Sequence, residues 1–309
     1  MNPEKPYNLL AILGPTASGK TSLAARMAAM LDGEVISADS RQVYRGMDIG
    51  TGKDLGDYLV DGNPVPVHLV DVADAGYQYN VFEYQRDFLK VFADMQIRGK
   101  FPVLCGGSGL YLEAVLQNYR LIQVPVDEDL RSRLSGKSLG ELTEILKGYK
   151  SSLHNITDIV NEKRAIRAIE IEQFYAGNRT LDTSMPELRS LVVGVRYDRQ
   201  TERKRITHRL EQRLHEGMVE EVKRLLDKGV TPDELIYYGL EYKFITRYLI
   251  GDISYLHMKE QLNTAIHQFA KRQMTWFRRM ERQGTLIHWL DGEMPQEEKT
   301  AAVLRLLER

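Results

Sequence analysis

Gly14-Pro15-Thr16-Ala17-Ser18-Gly19-Lys20-Thr21 fits the pattern G-x-x-x-x-G-K-[ST], a loop that wraps polyphosphate groups. Its glycines let backbone amides curl around an oxyanion, and Lys20 neutralises diphosphate charge. The Thr21 hydroxyl is left to ligate Mg²⁺. An apolar run, Asn8 to Leu13, precedes the loop, and a helix-like stretch, Thr21 to Leu31, follows it. This context predicts a diphosphate-binding site at residues 14 to 21.

The sequence around this loop alternates between strand-like and helix-like segments. Such alternation favours an α/β fold, here a P-loop NTPase-like core in which a mostly parallel sheet is flanked by helices. A helix is expected over Val81 to Gln96. Further strands are expected at Glu34 to Ser37, Val65 to Val72, Pro102 to Cys105 and Leu191 to Arg196.

A change of texture between Gln123 and Met185 indicates a second domain, because polar, helix-forming sequence there carries leucines at helical spacing. We interpret residues 121–186 as an inserted all-α domain, and residues 1–120 with 187–309 as the core that carries the phosphate loop. After the last expected strand, two long amphipathic helices are predicted over Gln200 to Lys228 and His257 to Gln283, followed by a short tail helix.

Composition excludes several classes of protein. No apolar stretch approaches the ~20 residues of a membrane span, and the N-terminus lacks the features of a signal peptide, so a cytoplasmic location is expected. The single cysteine, Cys105, makes no internal disulfide and is interpreted as a packing residue. A net charge of -1 gives no global sign of a nucleic-acid partner. Basic residues do cluster locally, around Arg199 to Arg213 and Lys271 to Arg282, where a solvated helix face is the alternative.

Asp39 follows the second expected strand, in Ser37-Ala38-Asp39-Ser40-Arg41-Gln42. Residues just beyond a strand's carboxyl end face the ligand crevice of an open α/β sheet, so Asp39 is placed for chemistry, with a capping role as the alternative. The phosphate loop alone does not identify its ligand, since kinases, NTPases and diphosphate-releasing transferases share it. The absence of N-K-x-D and D-x-x-G motifs argues against a regulatory GTPase.

Several segments, in this order and spacing, resemble the tRNA dimethylallyltransferases, also called tRNA isopentenyltransferases. They are GPTASGKT, SADSRQVYRGMDIGTGK, CGGSGLY, the Ile206 and Arg209 region with Gly217 and Glu221-Val222, and AKRQMTWFRR. The resemblance extends from about Asn8 to about Leu290. It implies transfer of dimethylallyl from dimethylallyl diphosphate to N6 of the adenine 3′ of a tRNA anticodon, assisted by Mg²⁺.

The resemblance also implies catalytic roles. Asp39 resembles the family's general base, and Thr21 resembles the residue that holds the diphosphate bridge and its metal. Arg209 matches the second arginine of the pattern R-I-x-x-R, which helps to neutralise the diphosphate.

Contacts to the tRNA anticodon stem-loop are implied at a further set of positions. Asp39, Ser40, Arg41 and Gln42 match the stretch that lies against the target nucleotides, and Ser108 stands where the family usually has threonine. The insertion contributes Arg131, Arg164 and Arg167. Arg272 and Gln273 belong to a helix on which cations alternate with Trp276 and Phe277, as single-stranded RNA requires, with a core position as the alternative for these two aromatics.

Three segments depart from the family pattern and are expected to face RNA. They are Gly239 to Lys243, Ile266-His267, and His154 to Asp158. Two rival functions remain at this point, a small-molecule kinase that uses ATP and a noncatalytic RNA-binding module with a degenerate loop. Intact Lys20, Thr21 and Asp39 argue against the second. A monomer without a membrane partner is expected.

Overall fold

The computed structural model describes residues 6–119, 121–149, 159–178 and 186–308. The chain divides into two compact units, one formed by Met1–Tyr119 with Glu187–Arg309 and the other by Arg120–Pro186. The strands are β1 Leu9–Leu13, β2 Gly33–Ala38, β3 Leu59–Val60, β4 Asn63–Pro64, β5 Val67–His68, β6 Phe101–Gly106, β7 Ser190–Arg196 and β8 Ile287–Asp291. The helices are α1 Lys20–Met30, α2 Val81–Ile97, α3 Gly109–Leu116, α4 Glu128–Leu134, α5 Leu139–Tyr149, α6 Glu162–Gly177, α7 Arg199–His215, α8 Met218–Asp227, α9 Pro232–Tyr237, α10 Leu240–Leu249, α11 Tyr255–Arg282 and α12 Gln296–Leu307.

A six-stranded parallel sheet organises the first unit, in the order β5-β2-β6-β1-β7-β8. The central strand β1 is buried along its whole length, as expected for a parallel strand covered on both faces. Its register pairs Leu13 with Gly106 of β6 and with Gly194 of β7. The carboxyl ends of β1, β2 and β6 therefore meet at one edge, where the phosphate loop, Asp39 and Ser108 begin.

The expected α/β fold with helices around a parallel sheet is confirmed, while two expected elements are wrong. Val65 to Val72 is not one strand, because only Val67–His68 pairs with β2 and the positive φ angles of Leu69 (61°) and Asp71 (56°) end it. Gln200 to Lys228 is not one helix. It breaks at Gly217, whose φ of 99° lies in the left-handed region that glycine adopts without strain.

The sequence prediction missed β8 and the short helices α9 and α10. Strand β8 pairs in parallel with β7 and completes the sheet. A capping box at Thr231 starts α9, and Gly239 separates it from α10. Within the described residues, no helix is both long enough and apolar enough to cross a membrane.

The second unit contains α4, α5 and α6 around a small core that includes Leu130, Leu142 and Ile169. Asn161 caps α6, and Asp127 caps α4. The predicted helical character of the insertion is confirmed for its described residues. Residues 154–158, which carry one of the departures from the family pattern, lie outside them.

Candidate active site

The phosphate loop is held by its own backbone and by one side chain from a distant helix. Gly19 has a φ of 80°, which turns the chain into α1. The Thr16 amide donates to Gln273 Oε1 at 2.9 Å, and Gln273 Nε2 donates to the Gly107 carbonyl at 2.8 Å. Gln273 therefore ties the loop to the end of β6 from its buried position on α11. The first intrahelical bond of α1 runs from Leu23 to Gly19, so earlier amides of the helix stay available to an anion.

Lys20 lies at the centre of a charged cluster. Its ammonium group donates to the Pro15 carbonyl at 3.2 Å, which leaves two N–H groups. Burial lowers the pKa of Lys20, Asp39 opposes that shift, and the charges of Arg209 and Arg213 add to it. Asp39, Arg209 and Arg213 are thus each within electrostatic range of Lys20. The structure brings together the predicted phosphate loop, general base and diphosphate arginine.

Asp39 is oriented by the turn that follows β2. Its Oδ1 accepts the Arg41 amide at 2.9 Å, an Asx turn that leaves Oδ2 for other chemistry. The Ser40 amide donates to Ser108 Oγ at 2.9 Å, and Ser108 Oγ donates to Ser40 Oγ at 3.2 Å. The predicted residues at the ends of β2 and β6 therefore form one connected group.

Arg41 and Gln42 have different surroundings. Arg41 lies over the ring of Tyr237, 5.8 Å from its centre, and makes no ion pair with any described residue. Gln42 is bound on both ends of its amide, since Oε1 accepts Ser37 Oγ at 3.1 Å and Nε2 donates to the Gly52 carbonyl at 3.0 Å. Arg41 is the one of the two with free donors for RNA.

Arg209 projects from α7 and shares a carboxylate with Arg213, one helical turn further along. Asp54 accepts a hydrogen bond from Nη2 of Arg209, and Nη2 of Arg213 lies 3.2 Å from Asp54 Oδ2. Both arginines, together with Thr16 and Ala17 of the phosphate loop, line a small cavity of about 20 Å³. Asp54 and Arg213 were not predicted, although the i, i+4 spacing of Arg209 and Arg213 places two cations on one helix face.

A sequence profile described as IPP transferase matches residues 42–280, and one described as isopentenyl transferase matches residues 7–65. A tRNA dimethylallyltransferase 2 of Bacteroides fragilis is 62% identical over 293 residues, covering 95% of each chain. The chain belongs to the tRNA dimethylallyltransferase family. A tRNA dimethylallyltransferase 1 of Parabacteroides distasonis is 57% identical over 98% of both chains.

Solved structures agree with this family. The tRNA isopentenylpyrophosphate transferase of Bacillus halodurans matches with a TM-score of 0.71 and 31% identity, covering 97% of this chain and 95% of that one. A eukaryotic dimethylallyltransferase acting on tRNA matches with a TM-score of 0.77 at 21% identity, over 97% of this chain and 77% of that chain, and supports the fold. Because these relatives match nearly the whole chain, the prediction of a transferase is confirmed. The two alternatives, a small-molecule kinase and a noncatalytic RNA-binding module, are not supported.

Two departures from the tRNA dimethylallyltransferase pattern lie in the core or beside the phosphate loop. Ile266 is 8% exposed and lines the small cavity with Thr16, so the expectation that it faces RNA is wrong. Tyr242 is buried and donates to Glu221 at 2.6 Å. Glu241 lines the same cavity; burial raises its pKa, Arg213 opposes that shift and Asp39 reinforces it. These substitutions therefore change the interior of this family member.

The residues beside the phosphate loop fit a Mg²⁺ ion that shares its coordination with a diphosphate. Magnesium commonly takes one or two protein oxygens and completes its shell with phosphate and water. The Thr21 hydroxyl on α1 is an oxygen donor of this kind. No cluster of three or more His, Cys, Asp or Glu side chains suited to a metal occurs among the described residues, so a metal cage made only of such side chains is not built there. Burial raises the pKa of Cys105 to about 12, which keeps the thiol neutral.

The arginines predicted to bind tRNA differ in how they are held. In the second unit, buried Glu170 accepts Arg131 Nε at 3.1 Å and also pairs with Arg167, whereas Arg164 is exposed. On α11, Arg272 is exposed and Gln273 is buried. Their contacts with RNA stay predictions, and Arg164 and Arg272 have the freest side chains.

The two aromatics of α11 have structural positions. Phe277 is completely buried in the core, so it is not available to stack on an RNA base. Trp276 packs so closely against α3 that a Cβ at Gly109 would lie 2.4 Å from its ring. The core interpretation, which the sequence left open, is correct for Phe277, and Trp276 stabilises the contact between α3 and α11.

Proposed function

We propose that this chain transfers the dimethylallyl group of dimethylallyl diphosphate to N6 of the adenine 3′ of the anticodon in tRNA, and releases diphosphate. The observation that carries the proposal is that Asp39 follows β2 at the edge of the sheet where the phosphate loop begins, while Arg209 lines a cavity with Thr16 and Ala17 of that loop. The names of the relatives, which specify both dimethylallyl and tRNA, support the choice of donor and acceptor.

Diphosphate binding falls to the loop and its cations. The first amides of α1 and the Lys20 ammonium group receive the phosphate oxygens, and Arg209, which lines the small cavity together with Thr16 and Ala17, adds its guanidinium group. Thr21 would hold Mg²⁺, which would supply charge neutralisation for the leaving diphosphate when bound. Because cleavage leaves a carbocation-like fragment, fixed charges that stabilise the departing anion lower the barrier most.

Proton removal falls to Asp39. As the bond between donor carbon C1 and the bridging oxygen breaks, its electron pair leaves with the diphosphate, and N6 of adenine forms the new bond to C1. The N6 proton passes to Asp39 Oδ2, while Oδ1 stays bound to the Arg41 amide. The Asx turn therefore fixes the base without consuming its basic oxygen.

The acceptor base must leave its stack to reach this carboxylate, because N6 of a stacked loop adenine is shielded. Ser40 and Arg41 follow Asp39 directly, and Arg41 carries free donors beside Tyr237. We assign these residues to the flipped nucleotide and its neighbours. Arg164 and Arg272, both exposed, contribute phosphate contacts elsewhere on the RNA.

Incubation of the purified chain with unmodified tRNA and Mg²⁺, followed by mass spectrometry of the digested nucleosides, tests the proposal. Parallel reactions receive dimethylallyl diphosphate, ATP or no donor. A dimethylallyl mass gain on adenosine is expected with the allylic donor alone. ATP consumption in the absence of any modified adenosine would refute it in favour of a kinase.

A further inference from the structure

Asp54 connects the diphosphate arginine to a segment that the proposed chemistry does not use. Its carboxylate accepts a hydrogen bond from Nη2 of Arg209, and its Oδ2 lies 3.2 Å from Nη2 of Arg213. The two arginines stand one turn apart on α7, where like charges repel each other. Burial lowers the pKa of Arg213, the neighbouring Arg209 lowers it further, and Asp54 opposes both effects. The carboxylate thus offsets a repulsion that would otherwise push the two side chains apart.

The segment that carries Asp54 is anchored on both sides. Glu221 of α8 accepts the amides of Asp48, Ile49 and Gly50 at 2.9, 2.8 and 3.0 Å, respectively. Buried Lys53 donates to Asp48 Oδ1 at 2.9 Å and also pairs with Asp71. Such a cluster of charge-assisted hydrogen bonds fixes the backbone immediately before Asp54.

Gly52, two residues before Asp54, contacts the side chain of Arg213. A Cβ at this position would lie 2.3 Å from Arg213 Nη2, and its φ of 72° lies in the left-handed region. The backbone therefore packs directly on the guanidinium group of Arg213, whose side chain is only 11% exposed. Asp54 is delivered to the arginine pair by a closely fitted loop.

The contact leaves Arg209 free to bind an anion. An arginine carries five N–H donors, and Asp54 receives Nη2 of Arg209, so donors on Nε and Nη1 remain. Arg209 also lines the cavity beside Thr16 and Ala17, so these donors are close to the phosphate loop. We propose that Asp54 is a positioning residue, which holds the guanidinium group of Arg209 against the phosphate loop so that it meets the diphosphate in one orientation. The inference rests on the proposed function, in which Arg209 binds the diphosphate.

A double-mutant cycle tests this role. The variants are Asp54→Ala, Arg209→Ala and the double substitution, each assayed for kcat/KM with dimethylallyl diphosphate and for binding of inorganic pyrophosphate with Mg²⁺. In the native background, we expect Asp54→Ala to lower kcat/KM and the affinity for pyrophosphate about tenfold each. In the Arg209→Ala background, the same substitution should lower each by less than about twofold. Asp54→Asn, which keeps one acceptor oxygen, should retain more activity than Asp54→Ala.

The matched control is Asp74→Ala, which removes an exposed ion pair with Arg45 at 2.9 Å and should change neither quantity. The inference is overturned if Asp54→Ala lowers kcat/KM and pyrophosphate affinity equally in both backgrounds, or lowers neither. It is also overturned if Asp54→Ala binds pyrophosphate more tightly, because Asp54 would then compete with the diphosphate for Arg209. If Asp54→Ala does not fold, Asp54→Asn in the two backgrounds is judged by the same criterion. Pyrophosphate binding is measured without turnover, so a failure of the prenyl transfer itself is recognised separately.

Discussion

Replacement of Asp39 by asparagine separates its chemical role from its structural one. Asp39 Oδ1 accepts the Arg41 amide at 2.9 Å, and the amide oxygen of asparagine can accept the same bond. A hydrogen bond of this kind contributes about 0.5 to 1.5 kcal/mol to stability, and asparagine should retain most of it. The substitution removes the basic oxygen and the negative charge beside Lys20, both of which the proposed reaction needs.

The expected loss of activity follows from the base. A positioned general base contributes about 10² to 10⁴-fold, or roughly 3 to 5 kcal/mol of barrier. Single-turnover rates with enzyme saturated by donor and tRNA measure the chemical step, and thermal unfolding with tRNA titration measures the structural role. We expect Asp39→Asn to slow the chemical step by ~100-fold or more, with melting temperature and tRNA affinity nearly unchanged.

A different result would assign Asp39 to the turn alone. If the asparagine enzyme keeps more than about a tenth of the native rate, no general base has been removed, because such a group contributes more than that. Asp39→Ala provides the comparison: it should lose the same activity and, in addition, about 1 kcal/mol of stability as the Arg41 amide loses its acceptor.

Four further outcomes follow from the described contacts. Lys20→Ala should lower kcat/KM for the donor by at least ~100-fold, measured by initial rates, since it removes the cation of the phosphate loop; a loss confined to tRNA binding would contradict its assignment. Arg164→Ala and Arg272→Ala should each weaken tRNA binding and reduce the slope of log K against log salt by about one, with no change in melting temperature. Arg131→Ala should also destabilise the helical unit, because it breaks a pair with buried Glu170, and an unchanged melting temperature would show that the pair is dispensable. Hydrogen bonds from Arg98, aided by His68, lower the pKa of Glu34 to about 2, so the stability that ionised Glu34 contributes to the fold is complete above pH ~4.5 and is lost as pH falls towards 2. In chemical denaturation, Glu34→Gln should therefore lower the free energy of unfolding by on the order of 2 kcal/mol at pH 7 and by little at pH 2. An equal loss at both pH values would refute the pKa shift.

Local signals made the centre of the site predictable. The loop pattern at residues 14 to 21 specifies its own surroundings, because it functions only between a strand and a helix. Asp39 followed from a general property of parallel sheets, that carboxyl ends of neighbouring strands meet at one edge. Both inferences need only short-range periodicity, which the sequence displays directly.

Long-range contacts were not predictable. Gln273 reaches the Thr16 amide across 257 positions of sequence, and no pattern on α11 indicates that its partner is the phosphate loop. Asp54 pairs with residues more than 150 positions away, and its neighbours give it no distinguishing composition. Glu221 was noted only as part of a resemblance, yet it binds three successive amides of the Asp48 segment. The prediction of one continuous helix across Gly217 was wrong for a different reason. A glycine inside a helical pattern is often tolerated, so its presence alone did not indicate a break.

Locating the modified base in the RNA tests the proposed reaction. A tRNA transcript, and a second transcript with guanine in place of the adenine 3′ of the anticodon, are incubated with the chain, dimethylallyl diphosphate and Mg²⁺. Nuclease fragments are then sequenced by mass spectrometry while released pyrophosphate is counted. The proposed reaction places one dimethylallyl group on that adenine for each pyrophosphate released, and none on the guanine transcript. Modification elsewhere in the RNA, or pyrophosphate release without any modified base, would contradict it.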